Sequence, residues 1–137
     1  MPRRSQDWVL SRFAAAKVAR LATVSSTGEP HLVPIVFAAV GSTILTAVDH
    51  KPKSTTRLRR LANIEASPAV SLLVDEYAED WSQLWWARAD GLATVVAVAP
   101  EHLLEALVTR YDQYAGNAPA GPFVVVEVAR WSGWSAI

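Results

Sequence analysis

Lys51, Lys53, Arg57, Arg59 and Arg60 place five of the chain's thirteen Lys and Arg residues in ten consecutive positions, although thirteen acidic residues bring the formal net charge to zero. A cluster of that kind has an anion as its natural partner. It follows a strand-like run at 43–48 and runs into a helix-like one at 57–64, so it stands at a strand-to-helix junction. Free backbone N–H groups and the helix dipole favour negative charge there before any side chain contributes. Arg57 and Arg60 lie about 60° apart on the helical wheel and can face one anion together. Charged helix faces are often only solvated, but these charges begin in the turn itself, and no acidic residue except Glu65, five positions past Arg60, follows them along the helix. The chemistry on offer is the binding of a phosphate or a polycarboxylate, with His50 as a further anion contact.

Residues that could make or break bonds are scarce. His31 and His50 titrate near neutrality, yet neither stands in a recognisable partnership with Ser, Asp or Glu. His102 falls in the first turn of an amphipathic helix, where it reads as a surface residue. The absence of cysteine excludes disulfides, thiolate chemistry and cysteine-ligated metals, and three scattered histidines make no zinc pattern. The acidic stretch 75–80 lacks the spacing of a calcium loop. No phosphate-binding glycine loop, nucleophile elbow or metalloprotease motif is present. A chain with anion-binding and aromatic equipment but no nucleophile or metal is an enzyme only if a cofactor carries the reaction, and redox cofactors suit that division of labour best.

The elements that must position the basic block follow from periodicity. Ser5 caps a first helix in which Val9, Phe13 and Ala16 recur at i, i+4 and i+7. Runs at 19–24 and 31–37 read as a β-hairpin through the turn at Gly28. Pro34 cannot donate a ladder hydrogen bond, so its strand should be bulged or at a sheet edge. Gly41-Ser42 turns the chain into a third strand at 43–48, completing a meander. The helix beyond the basic block buries Leu58, Leu61 and Ile64 and ends at Ser67-Pro68. Strands at 69–74 and 84–96 follow, the second kinked at Gly91. Pro100 opens a third helix with Leu104, Leu107, Val108 and Tyr111 on one face, and Gly116 closes it. A strand at 123–128 and an aromatic tail, Arg130 to Trp134, complete the chain. Six strands, with one helix before the first, one after the third and one after the fifth, predict a small closed or split β-barrel, mainly β, with helices at its rims.

At 137 residues and 51% hydrophobic composition, one domain spanning 1–137 with a substantial core is expected. No run approaches the roughly 18 apolar residues of a membrane span. The N-terminal segment is interrupted by Arg12, Lys17 and Arg20 and does not form the apolar region of a signal peptide, which points to the cytoplasm. Net neutrality argues against nucleic acid as a partner. Trp85 and Trp86, adjacent in a strand, must face opposite sides of the sheet. One can enter the core, leaving the other for an outer face, a dimer interface or a ligand ring.

The ordered segments Ala19-Arg-Leu-Ala-Thr-Val24, Gly28-Glu-Pro-His-Leu-Val-Pro-Ile-Val-Phe37 and Asp49-His-Lys-Pro-Lys-Ser-Thr-Thr-Arg-Leu-Arg-Arg-Leu-Ala-Asn-Ile64 resemble the split-barrel flavin and deazaflavin proteins related to pyridoxamine-phosphate oxidase. The likeness is to the small actinobacterial branch that uses coenzyme F420, and it continues through Ser67 to Asp75, Trp81 to Gly91 and Arg130 to Trp134. It implies a homodimer with the cofactor in a groove between barrels. Lys53 would hold the cofactor phosphate, helped by Lys51 and Arg57. The backbone of Val33, Pro34 and Ile35 would lie against the ring system, and Ala47 and Val48 would line the same groove. One of Trp81, Trp85 and Trp86 would come from the partner subunit. The activity implied is hydride transfer between the reduced deazaflavin and a small organic electrophile.

Charge chooses among cofactors. FMN ends in one phosphate, for which one lysine and one arginine with helix N–H groups suffice. F420 continues into an oligoglutamate tail, and five clustered cations suit that longer polyanion better. Two alternatives stand beside an F420-dependent oxidoreductase: an FMN-dependent split-barrel oxidoreductase, and a non-catalytic carrier of F420, flavin or haem. Oxidation of pyridoxamine phosphate would need a second phosphate site, and the sequence holds no second basic cluster.

Overall fold

The computed structural model describes residues 3–48 and 55–137, without the side chains of 55–58. Helix α1 (Gln6–Ala15) is capped by Ser5, whose hydroxyl accepts from the Trp8 N–H at 3.2 Å. Its inner stripe, Val9 and Phe13, is fully buried. Strands β1 (Ala19–Val24) and β2 (Pro30–Ile35) form the expected hairpin, with Gly28 at φ +85° in the turn. Then come β3 (Ala38–Val40), β4 (Thr43–Ala47), α2 (Thr55–Ala66), β5 (Ala69–Glu76), β6 (Trp85–Val96), α3 (Glu101–Arg110) and β7 (Phe123–Ser135). Short 3₁₀ turns lie at Trp81–Gln83 and Asp112–Tyr114.

Among the described residues, seven strands form one antiparallel sheet in the order β2-β1-β5-β6-β7-β4-β3. This corrects the expected six strands: β3 is a three-residue strand between the second and third of those anticipated. It also corrects the meander, because the strand at 43–47 pairs with β3 and β7 and never with β2. Pro34 does sit on an edge strand, as its missing N–H requires.

The connection from β2 to β3 reveals the overall shape. Those strands are the two opposite edges of the sheet, yet only Val36 and Phe37 separate them in sequence. Three residue steps span at most about 11 Å. The sheet must therefore curl until its edges nearly meet, as in a split barrel. Thr46 fastens the seam, its buried hydroxyl donating to the Val36 carbonyl at 2.8 Å.

Strand periodicity divides the core in two. Phe13, Leu21, Phe37, Ile44, Leu72, Val124 and Val126 fill the barrel interior, while Leu45, Leu103, Leu107 and Phe123 pack beneath α3. β4 supplies both sides, with Ile44 inward and Leu45 outward to the helix, so it is buried on both faces. α3 turns Leu103 and Leu107 to the core, leaving Leu104 and Val108 half-buried, a rotation from the expected face. The kink at Gly91 is present as a register shift between Asp90 and Gly91, with Ala129 the extra residue on β7. Beyond that bulge the expected aromatic tail continues as strand. Gly133 sits there beneath α1, where a Cβ would come within 2.7 Å of the Trp8 ring and 2.8 Å of Val9 Cγ2. No helix among the described residues is long and apolar enough to cross a membrane.

Candidate functional site

A cavity of about 780 Å³ opens at the barrel seam, within the range of small-molecule and cofactor sites. Its shelf is Pro34, Ile35 and Val36, where β2 leaves the sheet, facing Thr46 and Ala47 of β4. Arg60 of α2 stands in one wall, nine-tenths buried. The opposite wall is the segment from Arg110 to Tyr114, with Lys17 and Val18 beside it. An apolar backbone shelf flanked by cations suits a flat ring that carries a negative charge at one end.

The basic end is set by helix packing. Asn63 of α2 donates to Thr23 Oγ1 of β1 at 3.1 Å, a buried bond that anchors the helix on the hairpin. Ile64 enters the core on the same side. Arg60 lies one turn earlier, which brings it to the level of the shelf.

The opposite wall is held by reciprocal capping of two helices. Arg110, in the last turn of α3, donates through its guanidinium to the carbonyls of Phe13 and Ala16 at the end of α1. Lys17 Nζ in return donates to the Arg110 carbonyl at 3.4 Å. Each cation stands where unpaired carbonyls and the negative end of a helix dipole gather. Tyr111 then leaves helical geometry, and its hydroxyl accepts from the Phe37 N–H at 3.0 Å. The hydroxyl proton has the carbonyls of Phe37 at 2.9 Å and Lys17 at 3.0 Å as acceptors. One side chain thus ties the β2–β3 crossing to the segment entering β1.

Of the residues expected to touch a cofactor, Pro34, Ile35 and Ala47 come together in this cavity. Val33 packs against the barrel core, and Val48 is buried with its N–H donating to the Pro122 carbonyl at 2.9 Å. His50, Lys51 and Lys53 lie outside the described residues, as does the Arg57 side chain. Lys17, Thr46 and the Arg110–Tyr114 wall were not anticipated. Arg110 at a helix end was the one available signal, being a basic residue where carbonyls need donors.

The tryptophans separate as strand geometry demands. Trp85 lies under α1, edge-on to Trp8 at 5.9 Å, with its Nε1 donating to Glu76 at 3.2 Å. Trp86 faces outward with the Arg88 guanidinium 5.1 Å from its ring centre, and Trp81 is 75% exposed. No group of three or more His, Cys, Asp or Glu among the described residues is placed to hold a metal ion.

The fold has well-matched counterparts among solved structures. A FAD-binding protein from Mesorhizobium loti aligns over 96% of this chain and 95% of its own, with a TM-score of 0.71 and 21% identity. The FAD binding protein from Mycobacterium smegmatis aligns over 98% and 97%, at 0.65 and 18%. HutZ, the heme storage protein from Vibrio cholerae, aligns over 96% and 94%, at 0.70 and 16%. At these identities the likeness is one of fold. No curated protein matches the sequence. The sequence model of pyridoxamine 5'-phosphate oxidase matches residues 7–135, nearly the whole chain, and with its curled antiparallel sheet and seam cavity the chain belongs to the pyridoxamine 5'-phosphate oxidase family.

Proposed function

We propose that this chain binds a flavin-type cofactor at the barrel seam, with coenzyme F420 preferred and FMN as the alternative, and acts as an oxidoreductase on a small organic electrophile. The observation that carries the reading is the seam cavity itself, which sets the apolar shelf of Pro34, Ile35 and Ala47 beside the buried cation Arg60. When bound, the cofactor would supply hydride transfer, a step for which the described side chains offer no substitute. The chain's own part is to receive the ring on the shelf, to hold its anionic end at α2 and the basic block, and to exclude water. Lys53, Lys51, Arg57 and His50 are the proposed contacts to that end. The preference for F420 rests on the five clustered cations, more than one phosphate needs.

The second reading, a haem carrier, is suggested by the fold shared with HutZ. Among the described residues, the cavity lining contains no histidine, cysteine or methionine. Of the usual axial ligands the described lining offers Tyr111 and Tyr114, and the Tyr111 hydroxyl is engaged with backbone at Phe37 and Lys17. The composition therefore favours a flavin-type ring.

We further propose a homodimer built on the outer face of β5, β6 and β7. Support comes from Trp86 and Trp134, large aromatic side chains that pair across β6 and β7 and leave part of their surface to solvent on that face. Light scattering should give twice the mass of one chain. Titration with F420, FMN and FAD, followed by tryptophan quenching, tests the cofactor. Micromolar or tighter F420 binding with weaker FMN binding is expected. Equal failure of all three would sink the reading, and a tight complex that turns over no quinone or enone would make the protein a carrier.

A further inference from the structure

One polar side chain of β2 lies beyond the cavity and is used by nothing described so far. His31 shares the inner face of β2 with Val33 and Ile35 and pairs in register with Thr23, the residue to which Asn63 of α2 is bonded. Helix α2 therefore covers this part of the hairpin. Arg59 and Arg60 precede Asn63 by about one turn and act on His31 directly: burial first, then these two cations, hold its imidazole below the ordinary histidine range. Its Nδ1 atom is buried with no hydrogen-bond partner among the described residues. A proton on that nitrogen would be a buried donor with nothing to receive it, so the neutral ring is assigned its proton on Nε2.

Among the described residues, the charges that act on the imidazole are of one sign. From α2 they are Arg59 and Arg60. From β1, Thr23 stands opposite and the one charged residue, Arg20, pairs with Pro34 in the alternate register that points to the other face. Glu29, two residues before His31, is turned to Thr27 Oγ1 at 3.4 Å in the hairpin turn. An oxyanion arriving between the arginines would offset their repulsion of a protonated imidazole. Proton and anion would then each strengthen the hold on the other by the same factor.

We propose that His31, Arg59 and Arg60 form an anion-binding cluster on the β2–α2 face, taking the phosphate or carboxylate group of a ligand, and that His31 makes the affinity rise as pH falls. The cluster reaches the seam cavity through Arg60, which lines it.

The probe is sulfate, whose charge does not change near neutrality, added to the full chain without any flavin or deazaflavin. Proton NMR resolves the chain's three histidines, with His31 assigned from the His31→Gln variant. In chloride, His31 should titrate below the ordinary histidine value of about 6.5. In saturating sulfate at matched ionic strength its midpoint should rise by about half a pH unit or more, equivalent to about threefold tighter sulfate binding at low pH, while His102 stays in place. His31→Gln should bind sulfate with no pH dependence. Arg59→Gln, at an exposed position tolerant of substitution, should shrink the sulfate-induced rise. An unmoved His31 midpoint overturns the proposal, as does equal movement of His102 or persistent pH dependence in His31→Gln. Cofactor titrations enter neither arm, so this result and the cofactor reading fail independently.

Discussion

Replacing Tyr111 with Phe removes one oxygen atom and leaves the ring in place. That oxygen receives the Phe37 N–H at 3.0 Å and offers its proton to the carbonyls of Phe37 and Lys17. Phe37 is fully buried, so water cannot easily replace the lost acceptor. A buried backbone donor left unmet costs about 1–3 kcal/mol. The ring contacts, edge-on to Tyr114 at 6.1 Å and beneath the Lys17 ammonium at 5.6 Å, persist in the variant. No cavity term is therefore added. For a chain of 137 residues the unfolding entropy is about 0.29 kcal/mol/K, so a loss of about 2 kcal/mol lowers Tm by about 7 °C. Thermal unfolding followed by circular dichroism, alongside urea unfolding, measures both quantities. Thr109→Ala is the control, since its hydroxyl bonds only the Glu105 carbonyl on an exposed helix face, and it should change stability by under about 0.5 kcal/mol. A Tyr111→Phe protein melting within about 1 °C of the parent would refute the clasp, and with it the account of how the cavity wall is held.

Other outcomes follow from the same geometry. Lys53→Ala should weaken cofactor binding at least about tenfold, or about 1.4 kcal/mol, and raised salt should weaken binding of the parent protein too; unchanged affinity by fluorescence titration would remove the phosphate assignment. Gly133→Ala forces a methyl against Trp8 and Val9 and should destabilise by about 1–3 kcal/mol in urea, whereas Ala on the exposed strand position Glu127 should be far milder. Because burial, Arg59 and Arg60 depress the His31 pKa, the unfolded chain takes up a proton there first as pH falls. Stability is therefore full above the ordinary histidine value of about 6.5 and declines as pH drops toward the folded value. His31→Gln should flatten that part of the Tm-versus-pH curve, and an identical curve in the variant would count against the placement of His31 beside the arginines.

Local features of this chain were legible because their causes are local. The Ser5 cap needs only the N–H groups of the following turn. Gly28 was readable as a turn residue, Pro34 as an edge residue and Gly91 as a kink, since each reflects what one residue's backbone permits. β3 escaped notice because Ala38-Ala-Val40 is too short to show a period. The strand nature of Arg130 to Trp134 was hidden by the bulge at Ala129, which displaces the alternation of side chains by one position. The same limit applied to the site. Pro34, Ile35 and Ala47 could be named from strand pattern and family resemblance, but Lys17 and Tyr111 could not, because they meet across more than ninety residues of chain.

From the amino-acid order alone came the anion-seeking block, the scarcity of catalytic side chains and the run of amphipathic elements, all consequences of composition and short-range periodicity. Closure came from elsewhere. Only the folded chain brings the two edges of the sheet together at Val36 and Phe37, seals them with Thr46 and Tyr111, and turns Arg60 into the wall of a cavity. The physical reason is that a cavity is the space left between elements distant in sequence, and its shape depends on strand order and register, which no single segment encodes.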